Sequence, residues 1–150
     1  MDKSEWLLIY LSVAMGSEER PSPLNLIHIT GGMFLFALES SVPRVEKYRF
    51  KLQEYGVRST EVYDDLDRLV GRGLLEREEK SGGTWPVYKP TRIGQQKGKN
   101  LEGQANPMLV GNLRRIKGTV QSMTVGFLLR HMHDKYPTYN SIIDNPTSKP

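Results

Sequence analysis

With no cysteine in the chain, a metal or proton-transfer site would have to be built from its three histidines and its carboxylates. His131, His133 and Asp134 stand together near the end of a helical pattern, but His131 and His133 are two residues apart and face different sides of a helix. A helical metal pair wants i, i+4 spacing, as in HExxH, and His28 is far away in the sequence. A basic group at a helix end is already explained by the helix dipole. Asp64, Asp65 and Asp67 lie in no Asx-rich loop of the calcium type. The Thr30-Gly31-Gly32 and Ser81-Gly82-Gly83 runs lack the Lys-Ser/Thr ending of a phosphate loop. No Ser/His/Asp arrangement stands out. The residue types therefore predict a protein that is not an enzyme, with no metal and no cofactor.

Charge is the other chemistry on offer. The chain of 150 residues has a net charge of +4, 37% hydrophobic and 25% charged residues, enough for one domain with its own core. Residues 89–117 carry seven bases and one acid, while Arg58 to Val70 carries four acids and two bases. The basic excess thus follows the middle of the chain, where it can attract nucleic acid or another acidic partner. The apolar runs are too short to span a bilayer, and Asp2 and Glu5 argue against a signal peptide, so no membrane association and a cytoplasmic location are expected.

Periodicity predicts the elements that must carry these charges. Trp6, Ile9, Tyr10 and Val13 recur at helical spacing behind Ser4 as N-cap, with an end near Gly16. A second helix is expected from about Gly31 to Glu39 behind Thr30, with Phe34, Leu35 and Leu38 inward; Gly31 and Gly32 would mark a tight entry or a close backbone approach. Between Val45 and Leu52, the apolar Tyr48, Phe50 and Leu52 alternate with Lys47, Arg49 and Lys51, the pattern of a short strand with one basic face. Ser59 caps a helix whose stripe is Val62, Leu66, Leu69 and Val70, stopped by Gly71 and Gly73. Its outward ridge reads Glu61, Asp64, Asp65, Arg68 and Arg72. A hairpin around Ser81-Gly82-Gly83 follows, then a basic helix or loop from Thr91 to Gln104. One long helix is expected from Asn106 to Tyr136, with Leu109, Leu113, Ile116, Val120, Met123 and Phe127 stepping at threes and fours.

The run STEVYDDLDRLVGRGLLERE, the SGG tip and VYKPTRIG together resemble the winged-helix superfamily, in the style of PadR-like and MarR-like regulators. Leu66, Leu69, Gly73, Leu74, Leu75, Tyr88, Thr91 and Gly94 carry the resemblance, over about 40 of the 150 residues. A looser resemblance is to small prokaryotic winged-helix proteins with a Tyr-Gly-Pro-aromatic-Ser turn. Tyr55, Gly56, Val57, Arg58 and Ser59 match it without the proline and the aromatic, and Tyr136, Pro137 and Tyr139 match a terminal Tyr-Pro-x-Tyr segment.

The resemblance implies an α+β, mostly helical fold: a winged helix-turn-helix over residues 1–94, a C-terminal helical extension over 95–139 that holds the additional long helix, and a flexible tail over 140–150. It implies a transcriptional regulator that binds double-stranded DNA as a homodimer. The DNA contacts would come from Arg58, Ser59, Thr60, Arg68, Arg72, Arg77, Lys80, Lys89, Arg92, Arg114 and Arg115. Dimerisation would use Leu109, Leu113, Ile116, Val120, Met123 and Phe127. The acidic start of the helix after Ser59 opposes the phosphate attraction that dominates DNA affinity. A protein-interaction winged helix, antitoxin-like or a complex subunit, is the alternative.

Overall fold

The computed structural model describes residues 1–13, 21–53, 56–79 and 85–136. Lys80, the Ser81-Gly82-Gly83 tip, Tyr55, Pro137, Tyr139 and the tail lie outside them. The described chain is α+β and mostly helical. Its helices are α1 (Lys3–Ser12), α2 (Leu26–Glu39), α3 (Thr60–Gly71), α4 (Arg92–Gln104), α5 (Pro107–Gln121) and α6 (Val125–Lys135). Its strands are β1 (Leu24–Asn25), β2 (Lys51–Gln53), β3 (Gly56–Arg58), β4 (Leu75–Glu78) and β5 (Val87–Pro90). An antiparallel sheet has the order β1-β5-β4, and β2 and β3 form a separate hairpin. Among the described residues, no helix is long and apolar enough to cross a membrane.

Helix α2 is the hub. Ten of its residues, from Ile27 to Ala37, are buried, including the whole run Ile29 to Ala37. A helix apolar on all sides must be covered on all sides, and α2 is: it packs against α1, β3, α5 and α6. Its start differs from expectation. Asn25, not Thr30, is the N-cap and accepts from the His28 backbone N–H at 2.8 Å. Thr30 lies inside the helix and donates its hydroxyl to the Leu26 carbonyl. The two glycines do allow close approach. A Cβ at Gly32 would overlap the Tyr10 hydroxyl of α1, and one at Gly31 would press on Leu128 of α6.

Helix α1 is likewise enclosed. Every residue from Trp6 to Ser12 is buried, rather than one stripe. Asp2 instead of Ser4 is the N-cap, in a capping box with Glu5. The other end meets an unexpected group: Lys117 of α5 is fully buried, and its Nζ donates to the carbonyls of Leu11 (3.2 Å) and Val13 (2.8 Å). The ammonium thus satisfies carbonyls at the end of α1, where the helix dipole favours positive charge.

The single long C-terminal helix is in fact two. Asn106 caps α5, with Pro107 at its first position, and Thr124 caps α6 by accepting from the Phe127 N–H. Between them the Met123 carbonyl accepts from or contacts His28 Nε2 at 2.6 Å, pinning the turn to α2. Leu113, Ile116 and Val120 of α5, with Leu128 and Met132 of α6, are buried in the same core as α1 and α2. Residues from 95 onward therefore complete that core rather than extend from it. At the far end of α2, Glu39 takes Lys135 Nζ at 2.7 Å and the Tyr136 hydroxyl at 3.0 Å, with Arg115 at 3.9 Å.

The residues behind the family resemblance form one clasp. Gly73, at φ 77°, follows the end of α3, with Gly73 N–H on the Val70 carbonyl and Leu74 N–H on the Leu69 carbonyl, a Schellman stop. Thr91 bridges to it. Its backbone N–H donates to the Leu74 carbonyl, its hydroxyl donates to the Gly73 carbonyl at 2.7 Å, and the same hydroxyl accepts from Gly94 N–H as the N-cap of α4. Gly94 lies so close that a Cβ would overlap the Leu74 carbonyl oxygen.

Three stability predictions follow from these contacts. Gly94→Ala must push α4 off a backbone carbonyl and should destabilise by about 1–3 kcal/mol. Gly111→Ala, at an exposed helical site with open space around it, should stabilise by up to about 1 kcal/mol; denaturant melts that rank the two the other way would refute the clasp. Lys117→Met leaves two buried carbonyls without their donor and should lower unfolding free energy by about 1–3 kcal/mol, whereas a neutral melt would mean that desolvating the ammonium cancels its bonds. For Glu39, burial alone would raise the carboxyl pKa. The hydrogen bonds from Lys135 and Tyr136, and the charges of Lys135 and Arg115, outweigh that and hold it below the ordinary value. Its contribution is complete above the unfolded-state pKa and is lost as pH falls through the depressed folded one. Glu39→Gln should therefore cost about 1 kcal/mol near neutrality, and urea midpoints for variant and wild type should converge as pH drops below about 4.

Candidate nucleic-acid interface

Helix α3 reaches the surface as a narrow ridge, because both its ends are tied into the body. Val62, Leu66 and Leu69 are buried as the spacing predicts, with Val70 half-buried. Ser59 is the N-cap and accepts from Val62 N–H. It is itself buried, so its hydroxyl is not free for a DNA phosphate.

Two of the acids expected on the outer ridge are structural instead. Asp65 is buried; it accepts from the Tyr48 hydroxyl at 2.7 Å and is ion-paired with Arg68. Burial, then the hydrogen bond to Asp65, pushes the Tyr48 phenol far above its ordinary pKa, so it stays a donor. Glu61 accepts from the Arg49 backbone N–H at 2.8 Å and from Lys3 Nζ at 3.1 Å. What α3 leaves open is Thr60, Asp64, Asp67, Arg68, Gly71 and Arg72. The acidic bias read from the sequence shrinks to two acids against two bases.

The expected alternation before α3 holds in burial at Tyr48 and Phe50, with the Leu52 side chain outside the described ones, and it does not form one strand. A 3-10 turn at Arg44–Glu46 leads into an extended stretch, and only Lys51–Gln53 pairs, with Gly56–Arg58. Tyr48 and Phe50 are buried, and Arg49 and Lys51 are exposed. Lys51 is the register partner of Arg58. Lys3, Arg44, Lys47 and Arg49 then line a cleft with Val45, Tyr48 and the engaged Glu61. Among the described residues, the side chains of Arg44, Lys47, Arg49, Lys51 and Arg58 meet no carboxylate at ion-pair distance.

The bases expected to grip DNA are mostly paired within the chain. Arg77 Nε lies 2.6 Å from Glu79 and its Nη1 3.9 Å from Asp67, with the guanidinium over the Tyr88 ring. Lys89 faces Glu76 at 3.8 Å, directly across the register. Arg114 bonds Glu102 at 2.9 Å, and Arg115 approaches Glu39. Both sit in the middle of α5, not at a helix start, and Lys117 of the same tract is buried. Arg92, Lys97 and Lys99 of α4 remain exposed, as do Arg58, Thr60 and Arg72. Lys80 lies outside the described residues.

The expected dimer stripe divides in the same way. Leu113, Ile116 and Val120 are buried within the chain and are not available to a partner in this fold. Leu109 and Met123 are half-buried against that core. Phe127 is 57% exposed.

The bases that the sequence reading left out of its site are therefore those nearest the start of α3: Lys3, Arg44, Lys47, Arg49 and Lys51. Their signal was present in the alternation with Tyr48 and Phe50; Lys3 carried none, since its place beside Glu61 depends on how α1 packs. Set against known proteins, the chain matches no family model, no curated protein sequence and no solved structure.

Proposed function

We propose that the protein is a DNA-binding regulator of the winged-helix type, with α3 as the helix presented to the groove. The observation that carries this reading is the order β1-β5-β4 with α3 immediately before the β4-β5 hairpin. After α1 come β1, α2, the β2-β3 hairpin and α3, and β5 of the next hairpin then pairs with β1; this is the strand order expected of a winged helix, with an extra hairpin set between its two central helices. The open ridge of α3 supports it, since Thr60, Arg68 and Arg72 are exposed along a helix of 12 residues, about 18 Å long. Bases that meet no carboxylate among the described residues flank both ends of that helix: Arg58 and Lys51 at its start, and Arg92 at the start of α4, whose Gly94 abuts Leu74. A major groove is about 12 Å wide, so bases at the two ends of α3 match phosphates on its two rims.

Homodimerisation remains part of the proposal, with Phe127 as a contact in place of the buried stripe. The alternative, a protein-interaction module without DNA affinity, draws on the acids that stay exposed on the ridge, Asp64 and Asp67.

Electrophoretic retention of a mixed-sequence duplex should be seen at low salt, and with about five phosphates neutralised its affinity should fall with a log–log salt slope of about −4.5. Asp64→Lys with Asp67→Lys should strengthen duplex binding if α3 lies against phosphates. A duplex that is never retained, or one bound no better by the double variant, would favour the protein-interaction reading.

A further inference from the structure

We infer that the phosphate grip is the basic shoulder in front of α3, formed by Arg44, Lys47, Arg49, Lys51 and Arg58, and not the ion-paired bases Arg77, Lys89, Arg114 and Arg115. The inference rests on the nucleic-acid reading above and names the surface that carries it.

The shoulder is built, not incidental. Tyr48 and Phe50 are drawn into the core, at 1% and 0% exposure, and this sends Lys47, Arg49 and Lys51 to the opposite side of an extended segment. The β2-β3 register then sets Arg58 directly across from Lys51. Like charges in that position oppose the hairpin, and an anion laid over them would relieve the repulsion. The cleft beside them holds Lys3, Arg44, Lys47 and Arg49 around Glu61, whose oxygens are already used by Lys3 Nζ and the Arg49 backbone N–H. Glu61 therefore fixes the segment to α3, and its charge is balanced by Lys3.

Pairing decides between this surface and the others. A phosphate reaching Arg77, Lys89, Arg114 or Arg115 must compete with Glu79, Glu76, Glu102 or Glu39. At Arg44, Lys47, Arg49, Lys51 and Arg58 there is no such carboxylate among the described residues, so the full counterion release is available. Alternate residues on an extended chain are about 6.7 Å apart, so Lys47, Arg49 and Lys51 present a row of cations, which suits a strand of phosphates better than a single small anion.

Fluorescence anisotropy of the full chain with a labelled 30-base-pair duplex tests the assignment, with poly-glutamate and phosphatidylserine vesicles as rival anions. Lys47→Glu with Arg49→Glu should weaken duplex binding at least about tenfold and reduce the salt slope by about two. Arg114→Glu with Arg115→Glu should leave it within about threefold. Thermal melts establish that each variant is folded, and Lys47→Gln with Arg49→Gln, expected to give the same loss at smaller size, replaces the reversal if it unfolds. Wild-type protein that binds duplex while the shoulder variants bind equally well overturns this inference and leaves the DNA reading standing. Wild-type protein that binds no duplex removes both. Tighter binding of poly-glutamate or vesicles than of duplex, lost in the shoulder variants, assigns the surface to a different anion and overturns the nucleic-acid match.

Discussion

Helix α2 has no face that water can cover, and the remaining helices are arranged by that fact. From Ile29 to Ala37 every residue is buried, so cover has to arrive from several directions at once. Helix α1 takes the side opened by Gly32, where Tyr10 comes within overlap distance of any added Cβ, and α6 takes the side opened by Gly31. Helices α5 and α6 each bring buried residues to the core, with the break between them at the Ser122 and Thr124 caps. The few polar groups on α2 are each answered: Thr30 by the Leu26 carbonyl, His28 by the Met123 carbonyl, and Glu39 by Lys135 and Tyr136. Burial of this kind stabilises only when such groups are paired.

The enclosure of α2 in turn fixes where α3 can show itself. One end is held by Glu61 on Lys3 and the Arg49 backbone, and by Asp65 on Tyr48. The other is held by the Gly73, Thr91 and Gly94 clasp. Acids that appear in the sequence as an obstacle to phosphate binding are thus consumed as tethers. The helix keeps its place through its charges, and its exposed ridge is nearly neutral as a result.

The structure also separates what a single sequence can reveal from what it cannot. Local rules were enough for α3: its Ser59 cap, its stripe and its glycine stop all follow from neighbours within a few residues. The same holds for the alternation of Tyr48 and Phe50 with their basic neighbours. Long-range partners were invisible, which is why Asp65 was placed outward and why Arg114 and Arg115 were read as DNA contacts. The heptad-like run from Leu109 to Phe127 misled for a different reason. Apolar spacing at threes and fours reports a buried face without saying whose core buries it, and it continued by coincidence across the Thr124 cap. The density of apolar residues in GGMFLFAL was the available warning, since a helix of that composition needs more cover than the first 94 residues supply.

Net charge is a poor guide to where such a molecule attracts a polyanion, because pairing redistributes it. Residues 89–117 hold the largest basic excess in the sequence, yet Lys89, Arg114 and Arg115 face carboxylates and Lys117 is inside the core. The stretch from Arg44 to Arg58 has a smaller excess, and among the described residues its bases remain unpaired. A surface ion pair contributes little to stability, about 0–1 kcal/mol, but it strongly reduces the field its cation presents to an incoming anion. Among the described residues, unpaired positive charge therefore sits not only on Arg92, Lys97 and Lys99 of α4 but also on the segment inserted between α2 and α3. It exists there because Tyr48 and Phe50 are pulled inward by the same core that α2 requires.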